Sequence, residues 1–162
     1  MSGIDYIEVS LSEVIKDSDV IAIVKRNQPF YIVEEVPIHK DKQKFPPFKK
    51  TISLFEVVDI LYKNDNVDPA VFSGKTIKVL PAEYNRELDL YKRYHLEGAM
   101  KTAPINRYKG YDEKLEKSNE CIVFLRYNQN EKMLEFTSFG SVEALKEKNE
   151  IVKSLVIRGK RR

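Results

Sequence analysis

Thr51-Ile52-Ser53-Leu54-Phe55-Glu56-Val57-Val58-Asp59-Ile60-Leu61-Tyr62 is the clearest strand signal in the chain. By alternation, Ile52, Leu54, Val58, Ile60 and Tyr62 fall on one face, and Phe55, Val57 and Leu61 on the other. Glu56 interrupts the first face and Asp59 the second. A strand with one solvated side would alternate cleanly between apolar and polar residues. Apolar residues on both sides over such a length predict a curved strand shared across a closed barrel, with a bulge along it.

Working outward, Asn64-Asp65-Asn66 marks a turn, and Lys75 to Leu80 reads as the next strand. Pro81 begins a different kind of sequence. Glu83 to Leu96 carries Tyr84, Leu88, Tyr91 and His95 at near-helical spacing, and Gly98 fits a helix C-cap. The polar stretch from Met100 to Lys117 has no assignable period. Glu120–Tyr127 and Met133–Phe139 read as a hairpin around Asn128-Gln129-Asn130-Glu131-Lys132. Gly140-Ser141 is expected to open a final helix, with Ser141 as N-cap and Val142, Leu145, Val152, Leu155 and Val156 on its inner face. The end, Arg158-Gly159-Lys160-Arg161-Arg162, is basic and expected to fray.

Upstream of the long strand, Leu11 to Asp17 reads as a short helix capped by Ser10 or Ser12. The β-branched run Val20-Ile21-Ala22-Ile23-Val24 reads as a strand buried on both faces. Asn27-Gln28-Pro29 signals a turn before a strand over Phe30 to Val36. Pro37 to Lys50 reads as a loop. It holds Pro46 and Pro47, and Lys40, Lys42, Lys44, Lys49 and Lys50 against the single acid Asp41. The strands are not regularly separated by crossover helices, which argues against a doubly wound parallel sheet. The expected fold is α+β, mainly β: a five- to six-stranded antiparallel OB-like barrel with a short N-terminal helix, a helical insertion and a C-terminal helix.

At 162 residues, with 42% apolar and 33% charged residues, the chain fits one domain, 1–162, with a Tyr/basic-rich insertion at about 81–117. No apolar run approaches the roughly 20 residues that span a bilayer. Met1 to Tyr6 lacks the basic and apolar regions of a signal peptide, so the expected location is the cytoplasm. Cys121 is the only cysteine, so no internal disulfide forms, and its apolar run Cys121-Ile122-Val123-Phe124-Leu125 points to a buried, inert thiol. The net charge of +3 neither demands nor excludes a nucleic-acid partner.

Several partial motifs fail on inspection. Ser73-Gly74-Lys75-Thr76 resembles the end of a phosphate-binding loop, but Pro69 stands where the first glycine belongs, and Ile77-Lys78-Val79 continues as strand. Asn64, Asn66 and Asp68 have calcium-loop spacing, yet Pro69 and Lys75 replace the required Gly and Glu. Neither His39 nor His95 has a partner at metal-ligand spacing. Glu34 and Glu35, adjacent on a strand, point to opposite faces and form no acid/base pair with each other. No cofactor, metal or catalytic residue is expected.

One segment rises above this background. Residues 84–111 hold five of the nine tyrosines, Tyr84, Tyr91, Tyr94, Tyr108 and Tyr111, interleaved with Arg86, Lys92, Arg93, Lys101, Arg107 and Lys109 against Glu87, Asp89 and Glu97. Tyr and Arg anchor protein interfaces. Rings interleaved with cations also suit single-stranded nucleic acid. Tyrosines at helical spacing also pack a helix onto a core, and all three readings stay open. The candidate partner-binding residues are Tyr91, Arg93, Tyr94, Arg107 and Tyr108.

The order of elements resembles a group of uncharacterised bacterial OB-like β-barrel domain proteins. The resemblance rests on Asp19-Val20-Ile21-Ala22-Ile23-Val24; on Thr51 through Phe55, Val57 and Leu61 to Lys63; on Gly74-Lys75-Thr76-Ile77-Lys78-Val79; and on Cys121 through Phe124-Leu125. It covers the barrel strands, roughly half the chain, and the chain departs from the group in its tyrosine-rich insertion. The resemblance implies a fold and no activity. The expected function is a non-catalytic binding module, a protein–protein binder of inhibitor or immunity type. The alternative is an OB-type binder of single-stranded nucleic acid, and an enzyme of unknown reaction stands third.

Overall fold

The computed structural model describes residues 6–26, 30–40, 42–98, 104–157 and 159. The expected turn at Asn27-Gln28-Pro29 lies outside the described residues, as do the N-terminal Met1 to Asp5 and all of the basic end but Gly159. In chain order the elements are β1 (Tyr6–Val9), α1 (Leu11–Asp17), β2 (Val20–Lys25), β3 (Tyr31–Lys40), β4 (Gln43–Lys63), β5 (Thr76–Leu80), α2 (Tyr84–Glu97), β6 (Ile105–Tyr108), β7 (Glu120–Asn128), β8 (Met133–Phe136), β9 (Val142–Glu143) and α3 (Lys148–Ile157). Short 3-10 turns lie at Pro69–Phe72, Glu113–Lys117 and Leu145–Glu147.

The stretch Thr51–Tyr62 lies inside β4, which changes partners along its length. Gln43 to Ser53 pair with β3, Ser53 to Glu56 with β5, and Glu56 to Lys63 with β2. Ile21 and Ala22 face Tyr62 and Ile60, and Ile23 and Val24 face Asp59 and Val57, so Leu61 and Val58 are extra residues on β4. Such bulges bend a strand and break its alternation. That is why Leu61 and Tyr62, neighbours in sequence, are both buried.

The pairings β2–β4, β4–β5, β5–β8, β8–β7 and β7–β2 close a ring. Four are antiparallel, and β5–β8 is parallel, which corrects the expectation of a purely antiparallel sheet. A parallel neighbour needs a long crossover. The chain from α2 through β7 supplies it, returning β8 alongside β5 in the same direction.

Three apolar clusters follow from this closure. Val20, Ala22, Val24, Phe55, Val79, Val123 and Leu134 fill the inside of the ring. Ile21, Ile122 and Phe124 point outward into a second cluster with Val14 and Ile15 of α1 and Ile151 and Leu155 of α3. Ile52, Leu80 and Tyr84 form a third, beneath α2. Strands β2 and β7 are therefore buried on both faces. Ser10 caps α1 as expected: the Glu13 N–H donates to its Oγ, and that hydroxyl donates back to the Glu13 carboxylate. A separate parallel pair joins the N-terminal β1 to β6, and β6 lies in the part of the insertion that showed no sequence period.

Two further expectations are corrected. The Pro37–Lys50 segment is not a loop but most of a hairpin: β3 runs to Lys40, and β4 begins at Gln43. Val36 faces Phe48 and Ile38 faces Phe45, so Pro37 sits across from Pro46 and Pro47 at a register shift. Prolines are tolerated at bulges and edges because no ladder N–H is needed there. The lysines are spread along strands: Lys50 faces Glu34 and Lys49 faces Glu35. Burial would pull the Lys50 ammonium down, but its 2.8 Å hydrogen bond to Glu131 and the surrounding negative charge hold it above its ordinary value. At the C-terminus, Ser141 caps no helix. Val142–Glu143 form β9, and α3 starts only at Lys148. Its buried residues are Ile151 and Leu155, whereas Val152 and Val156 face outward. No helix among the described residues is long and apolar enough to cross a membrane.

Candidate functional site

β2, β5 and β8 end, and β7 begins, at the same end of the ring. The opposite end is plugged by Val67, Val71 and Phe72 from the β4–β5 connection, which pack on the inner core. The first end is open. Phe55 faces the ring interior, and by alternation Ser53 and Thr51 continue that face beyond the rim. Tyr31 lies across from Ser53 and Val33 from Thr51, so the base of the β3–β4 hairpin extends the inner wall outward. The result is a cleft of about 440 Å³.

Phe30, Tyr31, Thr51 and Ser53 form its hairpin wall. Phe136, Phe139, Gly140 and Val142 form the facing wall. Pro81, Ala82, Tyr111, Asp112 and Arg26 complete it. Gly140 has φ +70°, and a Cβ there would collide with the Tyr111 ring, so glycine is required on two counts. With that space free, the Tyr111 ring lies tilted against Phe139 with centres 5.5 Å apart, and the Phe139 ring centre lies 6.2 Å from that of Tyr6. The aromatic wall is thus continuous with the β1–β6 pair, where the Arg107 guanidinium covers the Tyr6 ring at 4.3 Å.

Arg26 is the cation nearest the cleft floor. Its guanidinium lies 5.1 Å from the Phe55 ring centre and donates to the Leu115 carbonyl at 3.4 Å, while its Nε is buried without a hydrogen-bond partner. Burial pushes the neighbouring Cys121 thiol up, and Arg26 opposes that only in part. A buried, protonated thiol with a raised pKa is a poor nucleophile. Asp112 accepts the Lys114 N–H as the cap of a 3-10 turn. No group of three or more His, Cys, Asp or Glu residues among the described residues could hold a metal. What this arrangement offers is an apolar, aromatic seat with one guanidinium at its base.

The five residues singled out from the sequence do not converge. Tyr91, Arg93 and Tyr94 lie on α2. Tyr91 is half-buried: its hydroxyl donates to the Pro46 carbonyl at 2.8 Å, and its ring meets Phe48 and His95. Arg93 pairs with Asp89 one helical turn away, and Tyr94 is 52% exposed. Arg107 and Tyr108 lie on a different element, β6. Tyr108 is only 3% exposed and donates its hydroxyl to the Glu143 carboxylate at 2.6 Å. Burial, that hydrogen bond and the charge of Glu143 push its pKa far above the ordinary tyrosine value. Tyr108 and Tyr84 are packing residues, and of the five tyrosines in 84–111 only Tyr111 lines the cleft. Sequence reasoning missed Phe30, Tyr31, Phe139 and Arg26. The available signal was aromatic residues set directly beside turn residues, Pro29-Phe30-Tyr31 and Phe139-Gly140, where a packed strand interior does not need them.

A smaller, polar hollow of about 260 Å³ lies between Ser73, Gly74, Thr76, Lys78 and Lys132. The Ser73-Gly74-Lys75-Thr76 sequence leads into β5 rather than a helix, so it builds no phosphate cradle of the helix-terminus kind. Compared with protein-family models, with curated proteins and with solved structures, the chain matches none.

Proposed function

We propose that the ring is an OB-like barrel and that the chain is a non-catalytic module that binds another protein, in the manner of an inhibitor or immunity protein. The carrying observation is the cleft: an open mouth walled by Phe30, Tyr31, Tyr111, Phe136 and Phe139, with Arg26 at its base. Closing five strands in the order first, second, third, fifth, fourth is the Greek-key arrangement of OB barrels, which supports the fold reading. A barrel mouth lined by aromatic residues suits an apolar side chain presented by a partner. Single-stranded nucleic acid needs a track of free cations beside the rings. Here Lys49 and Lys50 lie across from Glu35 and Glu34, so the lysine excess is concentrated at the hairpin tip, away from the cleft.

The test is an affinity pull-down from native lysate, split into untreated and nuclease-treated halves, with wild type and Phe139→Ala side by side. A discrete protein that survives nuclease and is lost with Phe139→Ala is the expected result. Recovery of nucleic acid, with binding that falls by about 0.7 in log slope per phosphate contacted as salt rises, overturns it in favour of the oligonucleotide reading.

A further inference from the structure

Strand β3 runs ten residues and, among the described residues, pairs only with β4. Its other edge therefore carries backbone groups that no strand among the described residues satisfies. Which groups these are follows from the ladder. The Leu54 N–H donates to the Phe30 carbonyl at 2.9 Å, and Tyr31 lies across from Ser53. In an antiparallel pair, residues alternate between facing the partner strand and facing away. Ile32 and Glu34 thus bond to β4, while the N–H and C=O groups of Tyr31, Val33 and Glu35 point outward.

The two halves of this edge differ. Beyond Glu35, Pro37 removes a donor and coincides with a register shift, both devices that block strand addition. The half next to the cleft has no such block. Tyr31 is 58% and Val33 49% exposed, and their side chains share the face that continues into the cleft. An open edge and an apolar seat therefore meet at Tyr31.

Building on the protein-binding reading, we propose that the partner docks as an extended segment that pairs with the Tyr31–Glu35 edge of β3 and inserts an apolar or aromatic side chain into the cleft. The main-chain bonds supply affinity, and alternate side chains supply specificity. On the shared face, the segment places its anchor beside Tyr31, a β-branched residue beside Val33 and a Lys or Arg beside the exposed carboxylate of Glu35. A second copy of this chain is the poorer occupant. A two-fold pairing centred on Val33 would set Glu35 of the second copy against Tyr31, offering a carboxylate to an apolar seat.

The test uses the intact chain against a displayed library of random linear peptides. Enriched peptides should carry the alternating anchor, β-branched and basic pattern in either chain direction. They should bind wild type and Val33→Thr alike. Binding to Val33→Pro should be weaker by about tenfold or more, the factor that accompanies loss of one or two main-chain hydrogen bonds. Proline at this position removes only an outward N–H, which an edge strand tolerates. Independently of any variant, the Tyr31 and Val33 amides should gain protection from hydrogen exchange in the complex.

No enriched peptide, equal binding to Val33→Pro, or unchanged exchange at Tyr31 and Val33 overturns the proposal. A wild-type dimer that Val33→Pro converts to monomer overturns it in favour of self-pairing. A partner lost with Phe139→Ala but retained by Val33→Pro overturns strand addition alone and leaves the protein-binding reading standing.

Discussion

Tyr108 shows how one side chain can read as an interface residue in sequence and act as a core residue in the fold. Its ring packs among Ile122, Phe124 and Leu155, and its hydroxyl donates to Glu143. Removing that donor leaves a part-buried carboxylate short of a partner, so Tyr108→Phe should cost about 1.5–3 kcal/mol at neutral pH, read by urea denaturation. The pH dependence has a definite sign. Folding raises the pKa of Tyr108 above the ordinary 10.0, so the unfolded chain gives up its proton first. The stabilisation is fully present below that value and is lost as pH rises above it, at up to about 1.4 kcal/mol per pH unit. Burial raises Tyr62 and Tyr84 in the same direction. Stability measured from pH 9 upward should therefore decline on the alkaline side, and Tyr108→Phe should decline less steeply than wild type. An identical slope for the two would show that Tyr108 ionises as freely in the native state as in the unfolded one.

Among elements, α2 was legible and the hairpin was not. Tyr84, Leu88, Tyr91 and His95 recur at helical spacing, and Gly98, with φ +69°, ends the helix as a left-handed cap. The β3–β4 hairpin carries the same kind of information, but Pro37, Pro46 and Pro47 mask it, because a proline in sequence signals a loop unless its bulge is known. The two elements lock together through Tyr91, whose ring meets Phe48 and whose hydroxyl donates to the Pro46 carbonyl. Tyr91→Phe should loosen α2 by about 0.5–1.5 kcal/mol. The expected readout is faster amide exchange along α2, with amides of β2 and β7 unchanged; exchange that quickens everywhere would mean α2 is part of the global folding unit.

For the molecule as a whole, the ring depends on an interior filled from every strand. Phe55 lies at its centre, 1% exposed, meeting Phe136 edge-on and covered by Arg26. Phe55→Ala should cost about 3–5 kcal/mol, with the midpoint of urea unfolding falling while circular dichroism and tyrosine fluorescence remain coincident. Separate transitions for the two probes would mean that α2 or the β1–β6 pair unfolds independently of the ring.

Local chemistry decided what could be read in advance. Alternation marked β4 and β5, an unbroken β-branched run marked β2, a hairpin pattern marked β7 and β8, Ser10 or Ser12 marked the start of α1, and the lone Cys121 excluded a disulfide. Each of these depends on residues a few positions apart. The parallel β5–β8 pair, the bulges at Val58 and Leu61, the inward turn of Tyr108 and the meeting of Phe30, Tyr31, Tyr111 and Phe139 around one cleft depend on residues tens of positions apart. Strand order and register emerge only when distant segments pair, and the period of a single strand carries no record of its neighbours. The sequence by itself therefore determined that this protein is built on strands with a helix-bearing insertion, and only the tertiary structure decided which aromatic residues are packed inside and which remain at an open mouth.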